Sequence, residues 1–209
     1  MADPGFTAFP VSWILLAATI AASVLAFRSE RFRAAALLYP WDIVRRREYY
    51  RLFSYGFIHA DIIHLAFNMI ALYSVSFALE SVMGSARLAV LYLASVAAAA
   101  ILPTRKQRDN PHYSALGASG AVSALFFSGM LYFPGAKVMI FLLPIPLPWP
   151  VFAVLFVLVS IMGNKRQWGN VGHDVHLYGA LSGLLLTVIL DPRSVQIFLT
   201  GIATLLNGG

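Results

Sequence analysis

The chain has no cysteine among its 209 residues. Disulfides, thiol catalysis and thiolate metal sites are therefore excluded. Charge is scarce too, at 11% of residues, and acidic groups number nine. No internal repeat and no low-complexity linker interrupts the chain. What fills it instead is apolar: 59% of residues are hydrophobic and the mean hydropathy is +0.75. Several uncharged runs approach the ~20 residues a helix needs to cross a bilayer. The chain reads as an all-α, polytopic, integral membrane protein, and its length suits one domain over 1–209. The net charge is +6. In a membrane protein, excess Lys and Arg marks loops beside anionic lipid rather than a nucleic-acid partner.

Six spans can be drawn, over about 10–27, 62–79, 88–102, 118–133, 151–162 and 175–190. The first is not followed by a small-residue cleavage site, so it reads as a retained helix rather than a signal peptide. The segment TRKQRDNPHYS, 104–114, reads as a charged loop that Pro111 helps keep non-helical. PIPLPWP, 144–150, cannot be a regular helix, because its alternate prolines remove donors and clash with the preceding turn. GNKRQWGN, 163–170, reads as a further loop. The apolar tail, 195–206, is too short for a crossing and reads as an interfacial helix.

Orientation follows from the cations. The odd-numbered loops carry twelve: Arg28, Arg31, Arg33, Arg45, Arg46, Arg47, Arg51, Arg105, Lys106, Arg108, Lys165 and Arg166. The other side holds three, Arg87, Lys137 and Arg193. By the positive-inside rule the odd loops belong in the cytoplasm.

Polar groups inside spans are costly and mark function by default. His64 and Asn68 stand four apart in the second span, on one helical face, with His59 one turn before them. Glu80 closes that span, where a capping or pairing role outweighs a catalytic one. Ser119 opens the fourth span, and His176 lies in the sixth. Taken singly, each has a bland explanation: a serine bonding its own helix, or an Asn or His bridging two helices. Taken together, polar groups on three spans must all find partners away from lipid.

Small residues supply a way to meet. Gly117 and Gly120 flank Ser119, and Gly179 and Gly183 form a GxxxG one turn after His176. Such residues let two backbones approach closely. If the fourth and sixth spans pack through them, Ser119 comes within reach of His176, the arrangement for an activated nucleophile. Asn68 and the Ser119 N–H can then form an oxyanion site, with His64 as a further donor. Asp174 lies on roughly the opposite helical face from His176 and reads as an N-cap, which leaves a Ser–His dyad.

In this order, the motifs resemble the rhomboid family of intramembrane serine proteases. GASG at 117–120 is similar to the family's GxSG, and HADIIHLAFN at 59–68 to its second-helix His and Asn pattern. VHLYGALSG at 175–183 is similar to AHxxGxxxG, EYYRLFSYGFIH at 48–59 to the Trp-Arg segment, and ESVMG at 80–84 to the Glu-xxx-Gly helix end. The resemblance implies a six-transmembrane-helix bundle whose short fourth helix begins at the serine in a water-filled cavity. It implies that Ser119 is the nucleophile and His176 the general base, with His64, Asn68 and the Ser119 N–H stabilising the oxyanion. It further implies that Gly117 leaves room for the substrate carbonyl and that Arg51 and Glu80 are structural. The substrates implied are transmembrane proteins, with no cofactor and no metal.

Three departures stand out. Tyr50 replaces the Trp of the Trp-Arg motif, and Val175 replaces the Ala before the His, which tightens the helix contact. Ser123 stands where the family often has an aromatic that stacks on the catalytic His, leaving Tyr178 or Phe127 as substitutes. The six-span bacterial type implies a cytoplasmic N-terminus in the bacterial cytoplasmic membrane, with the site opening outward, the reverse of the charge count. The reading adopts the family topology, because the resemblance implies a first loop folded into partly membrane-embedded structure, whose arginines do not count as short-loop charges do. Two rivals are a catalytically inactive relative that binds transmembrane helices, and a transporter. The first usually lacks Ser or His, and both are present. The second predicts internal symmetry that the chain does not have.

Overall fold

The computed structural model describes residues 5–140, 143–166 and 173–207. Helix α1 spans Pro10–Arg28, with Pro10 at its first position, where a missing N–H costs nothing. Its N-terminus is capped from a distance. Glu80 accepts the N–H of Val11 at 3.0 Å, and both the N–H and the hydroxyl of Ser12 at 2.8 and 2.6 Å. A carboxylate on first-turn N–H groups answers the unpaired donors and the positive end of the helix dipole.

The first loop folds. It forms α2 (Glu30–Ala36), α3 (Pro40–Arg46) and α4 (Arg51–Ser54), followed by a 3₁₀ turn, Tyr55–Phe57. Arg51 is buried among them. Its guanidinium donates to Glu48 at 2.6 Å and to the carbonyls of Ala34 and Leu37 at 2.8 and 3.0 Å. That bonding answers the cost of a buried charge and fastens α4 to α2.

Helices α5 (Ile62–Met83) and α6 (Ser85–Gln107) follow, joined at Gly84. Both are longer than the sequence predicts. In particular, α6 runs through Pro103 and ends at Gln107, so Thr104–Gln107 are helix rather than loop. Buried packing around Pro103 and Thr104 holds the turn that the missing N–H weakens. Next comes α7 (Ser119–Tyr132), then the antiparallel strands β1 (Lys137–Ile140) and β2 (Leu143–Pro148). The proline-rich segment is therefore extended, as its alternate prolines require. Helix α8 (Trp149–Arg166) continues past the boundary that the sequence predicts, making helix of 163–166; positions 167–170 of that loop lie outside the described residues. Helix α9 (His173–Leu190) then turns by 110° into α10 (Arg193–Leu206). Asp174 is the second residue of α9, not its cap.

Helices α1, α5, α6, α7, α8 and α9 cover the six runs in the sequence. Among the described residues, α1, α5 and α6 are long and apolar enough to cross a membrane; α9 and α10 qualify together as a bent pair. Helix α7 is shorter, at 14 residues, or about 21 Å. It is the central helix, buried along almost its whole length, with α5, α6, α8 and α9 around it. The outer surface is apolar: Ile14, Ile70, Val154, Leu158, Leu185 and Ile189 are all exposed. An exposed apolar surface of that extent suits lipid, not water.

Candidate active site

The seam between α7 and α9 is made of backbone. A Cβ added to Gly179 collides with the carbonyl of Gly120, and one added to Gly183 collides with the carbonyl of Ala124. A Cβ on Gly120 would lie 2.8 Å from the Ala99 methyl and 2.9 Å from Val175 Cγ1. Glycine is thus required at 120, 179 and 183 by close approach, and Val175 packs into the same contact.

This seam brings Ser119, the first residue of α7, against the first turns of α9. The distance from Ser119 Oγ to His176 Nε2 is 2.7 Å. With Nε2 as acceptor, the ring proton resides on Nδ1.

The turn before Ser119 is held on both sides. Gly117 has φ 118°, a left-handed conformation that favours glycine, and its N–H donates to the Tyr55 carbonyl at 2.9 Å. A Cβ there would meet His64 Cε1 at 2.9 Å and Nε2 at 3.1 Å, so the His64 imidazole lies directly over the Gly117 backbone. The Asn68 amide donates to the His64 carbonyl at 3.0 Å and is 7% exposed. An amide carries two N–H bonds, so one remains for another acceptor. No side chain caps α7, and the Ser119 N–H precedes the helix's own ladder. Ser119, His176, His64, Asn68 and Gly117 thus gather at one end of the bundle, the end of the cation-rich odd-numbered loops.

Two features correct the sequence reading. His59, grouped there with the polar face of His64 and Asn68, is 0% exposed and is held by other partners. Its Nε2 accepts the Ala118 N–H at 3.3 Å, and its Nδ1 faces Ser23 Oγ at 3.0 Å. The Ser23 hydroxyl donates in turn to the Phe57 carbonyl at 3.1 Å. His59 therefore ties α1 to the residue before Ser119. Burial, with the His64 imidazole beside it, pushes the His59 pKa down to about 4.

The second correction concerns the aromatic. Among the described residues, a ring the sequence did not single out, Phe156 of α8, stands against His176 at a centroid distance of 6.2 Å, and Phe127 packs behind it at 5.5 Å. Ser123 donates its hydroxyl to the Ser119 carbonyl at 2.8 Å instead. Phe152 and Phe156 stand four apart in the fifth span, a visible pair, but nothing in their spacing says which face looks inward.

The Rhomboid domain family matches residues 46–193 of the chain. The chain belongs to the rhomboid family. The match encloses Ser119, His176, His64, Asn68 and Gly117. Rhomboid protein 1, mitochondrial, of Saccharomyces cerevisiae is 30% identical over 62% of this chain and 38% of that protein. Rhomboid-related protein 1 of Caenorhabditis elegans is 31% identical over 72% of this chain and 42% of that protein. Rhomboid protease GlpG of Salmonella paratyphi A is 23% identical over 86% of this chain and 63% of that protein. This rhomboid thus spans well under half the length of the first two relatives. It is an integral membrane protein with a helical bundle of the rhomboid type. The matched relatives include mitochondrial as well as bacterial proteins, so they do not support the bacterial cytoplasmic membrane in particular. The family includes serine proteases of the membrane and members without catalytic activity.

Proposed function

We propose that this rhomboid is an intramembrane serine endopeptidase working through a Ser119–His176 dyad. The 2.7 Å contact between Ser119 Oγ and His176 Nε2 carries the reading. Ser119 Oγ attacks the carbonyl carbon of a peptide bond while its proton passes to Nε2. The carbonyl π pair moves to oxygen, where the Ser119 N–H, His64 and Asn68 receive the charge, with Gly117 leaving room. Collapse breaks the C–N bond, and the imidazolium returns the proton to the leaving amine. Water, deprotonated by His176, then cleaves the acyl-enzyme ester and frees Ser119.

The substrates are transmembrane proteins, and chain 1–209 acts as one membrane domain with its N-terminus in the cytoplasm. A helical peptide bond is shielded, so segments with Gly, Pro or other weak helix formers near the cut unwind most readily. The alternative is an inactive relative that binds transmembrane helices. It does not call for a serine hydroxyl on an imidazole, and that contact favours the protease.

The test is cleavage of a single-span substrate in proteoliposomes, together with labelling by a fluorophosphonate. Wild type should cleave and label. Ser119→Ala should do neither, and His176→Ala should lose at least about a hundredfold in rate. Cleavage that survives Ser119→Ala sinks the assignment.

A further inference from the structure

At the far end of α7, about 20 Å from Ser119 along the helix axis, a second polar centre interrupts the apolar bundle. A crevice of about 760 Å³ opens there between α10 and the ends of α5 and α7. Its floor is Asp191, 2% exposed. Tyr132 donates to Asp191 Oδ2 at 3.1 Å, while Arg193 donates from Nε to Oδ1 at 2.7 Å and from Nη2 to Oδ2 at 2.9 Å. This two-bond fork fixes the guanidinium plane. The Arg193 side chain is still 69% exposed, so its remaining N–H groups face outward from a set position. Arg87, on the first turn of α6, is exposed, donates to the Met83 carbonyl at 3.5 Å and acts electrostatically on the same Tyr132 hydroxyl. One cation thus grips the carboxylate and a second lies near its tyrosine partner.

Helix α10 supplies the other wall. Gln196 and Thr200 fall on the Arg193 face and line the crevice, while Val195, Leu199 and Leu206 form an exposed apolar stripe. The 110° turn after α9 lays this helix across the bundle end, the posture of a helix in the membrane interface. Val82 and Ile197 add an apolar flank beside the polar floor. A ligand that suits the crevice has a bidentate anion, hydrogen-bond acceptors and an apolar tail, and sits at the depth of lipid headgroups.

We propose that this crevice binds an anionic phospholipid. The phosphodiester docks on the outward N–H groups of Arg193 and on Arg87, with Gln196 and Thr200 bonding the headgroup and the acyl chains running past Val82 and Ile197. Planar guanidinium matches a phosphate in two-point contact, which favours phosphate over a bulk-membrane effect. The bound lipid fastens α10 to α5, α6 and α7 at the end opposite the serine. The site is independent of the peptidase reading.

The test uses the full chain, purified and delipidated in neutral detergent, with the thermal unfolding midpoint followed against added phosphatidylglycerol, phosphatidylcholine or inorganic phosphate. Wild type should show a saturable rise with phosphatidylglycerol at least tenfold below the concentration at which phosphatidylcholine acts. Inorganic phosphate at equal concentration should leave the midpoint unchanged. Asp191→Asn combined with Arg193→Gln removes the fork without stranding a buried charge, and should weaken the phosphatidylglycerol response at least tenfold. Arg87→Gln leaves the floor intact and should weaken it about threefold. Arg28→Gln with Arg31→Gln, at the opposite end, should respond as wild type. An equal response to both lipids, a full response to phosphate alone, or an unweakened response in the double variant overturns the proposal.

Discussion

Phe156 reaches across from α8 to lie beside the His176 imidazole, with ring centroids 6.2 Å apart and planes tilted by 38°. The ring makes no hydrogen bond, so it acts on the orientation of the base alone. Such aromatic contacts are worth about 1 kcal/mol beyond their buried area. Phe156→Ala should lower kcat about tenfold with KM little changed, and Phe156→Tyr should restore most of it. Steady-state kinetics on a single-span substrate decides this; an unchanged kcat in Phe156→Ala rules the role out.

Gly179→Ala asks for a methyl where the Gly120 carbonyl already lies. The helices must part, at a cost of about 1–3 kcal/mol in stability. Parting also lengthens the Ser119–His176 contact, for which a misplacement of about 1 Å costs on the order of a hundredfold in rate. Thermal unfolding and turnover should therefore fall together. A variant with wild-type turnover shows that the seam does not set the distance.

His59 gives a dependence on pH. Its folded pKa, about 4, lies below the 6.5 of a free imidazole, so as pH falls the unfolded chain takes up the proton first. Stability is therefore complete above about 6.5 and drains away between 6.5 and 4, by on the order of 3 kcal/mol at most. The physical event is loss of the lone pair that accepts the Ala118 N–H. Wild type should lose more of its thermal midpoint from pH 7.5 to 4.5 than His59→Gln does; parallel losses would exclude His59 as the source.

Glu80→Ala removes the carboxylate that accepts from Val11 and Ser12 at the α1 N-terminus. The bonds to Val11 and Ser12 vanish and the carboxylate no longer meets the helix dipole. The expected loss is about 2 kcal/mol of stability, with activity per folded molecule within about threefold of wild type. Hydrogen exchange should quicken in the first turn of α1. If exchange there stays slow, another group does the capping.

Much of this was legible in the sequence, for a physical reason. Lipid admits no charge over ~20 residues, so the six runs stand out. Likewise Gly120, Gly179 and Gly183 announce a close helix contact, because few other arrangements tolerate them in mid-helix. The rest was hidden by the same uniformity. Helices α7 and α8 carry no apolar stripe to reveal the inward face, so Phe127 and Phe156 could not be told apart as partners of His176. The burial of His59 depends on Ser23 and Ala118, which are distant in the chain. The continuation of α6 through Pro103 depends on neighbours packed around it, which a local rule about proline does not contain.

The backbone seam between α7 and α9 has a consequence for how such a chain can change over generations. Where two helices meet through side chains, a replacement on one can be matched by a replacement on the other, and spacing drifts in small steps. Here the contact is Gly179 on the Gly120 carbonyl and Gly183 on the Ala124 carbonyl, so there is nothing to trade. The separation of Ser119 from His176 is insulated from gradual substitution elsewhere in the bundle, and it is lost in one step when a glycine is lost.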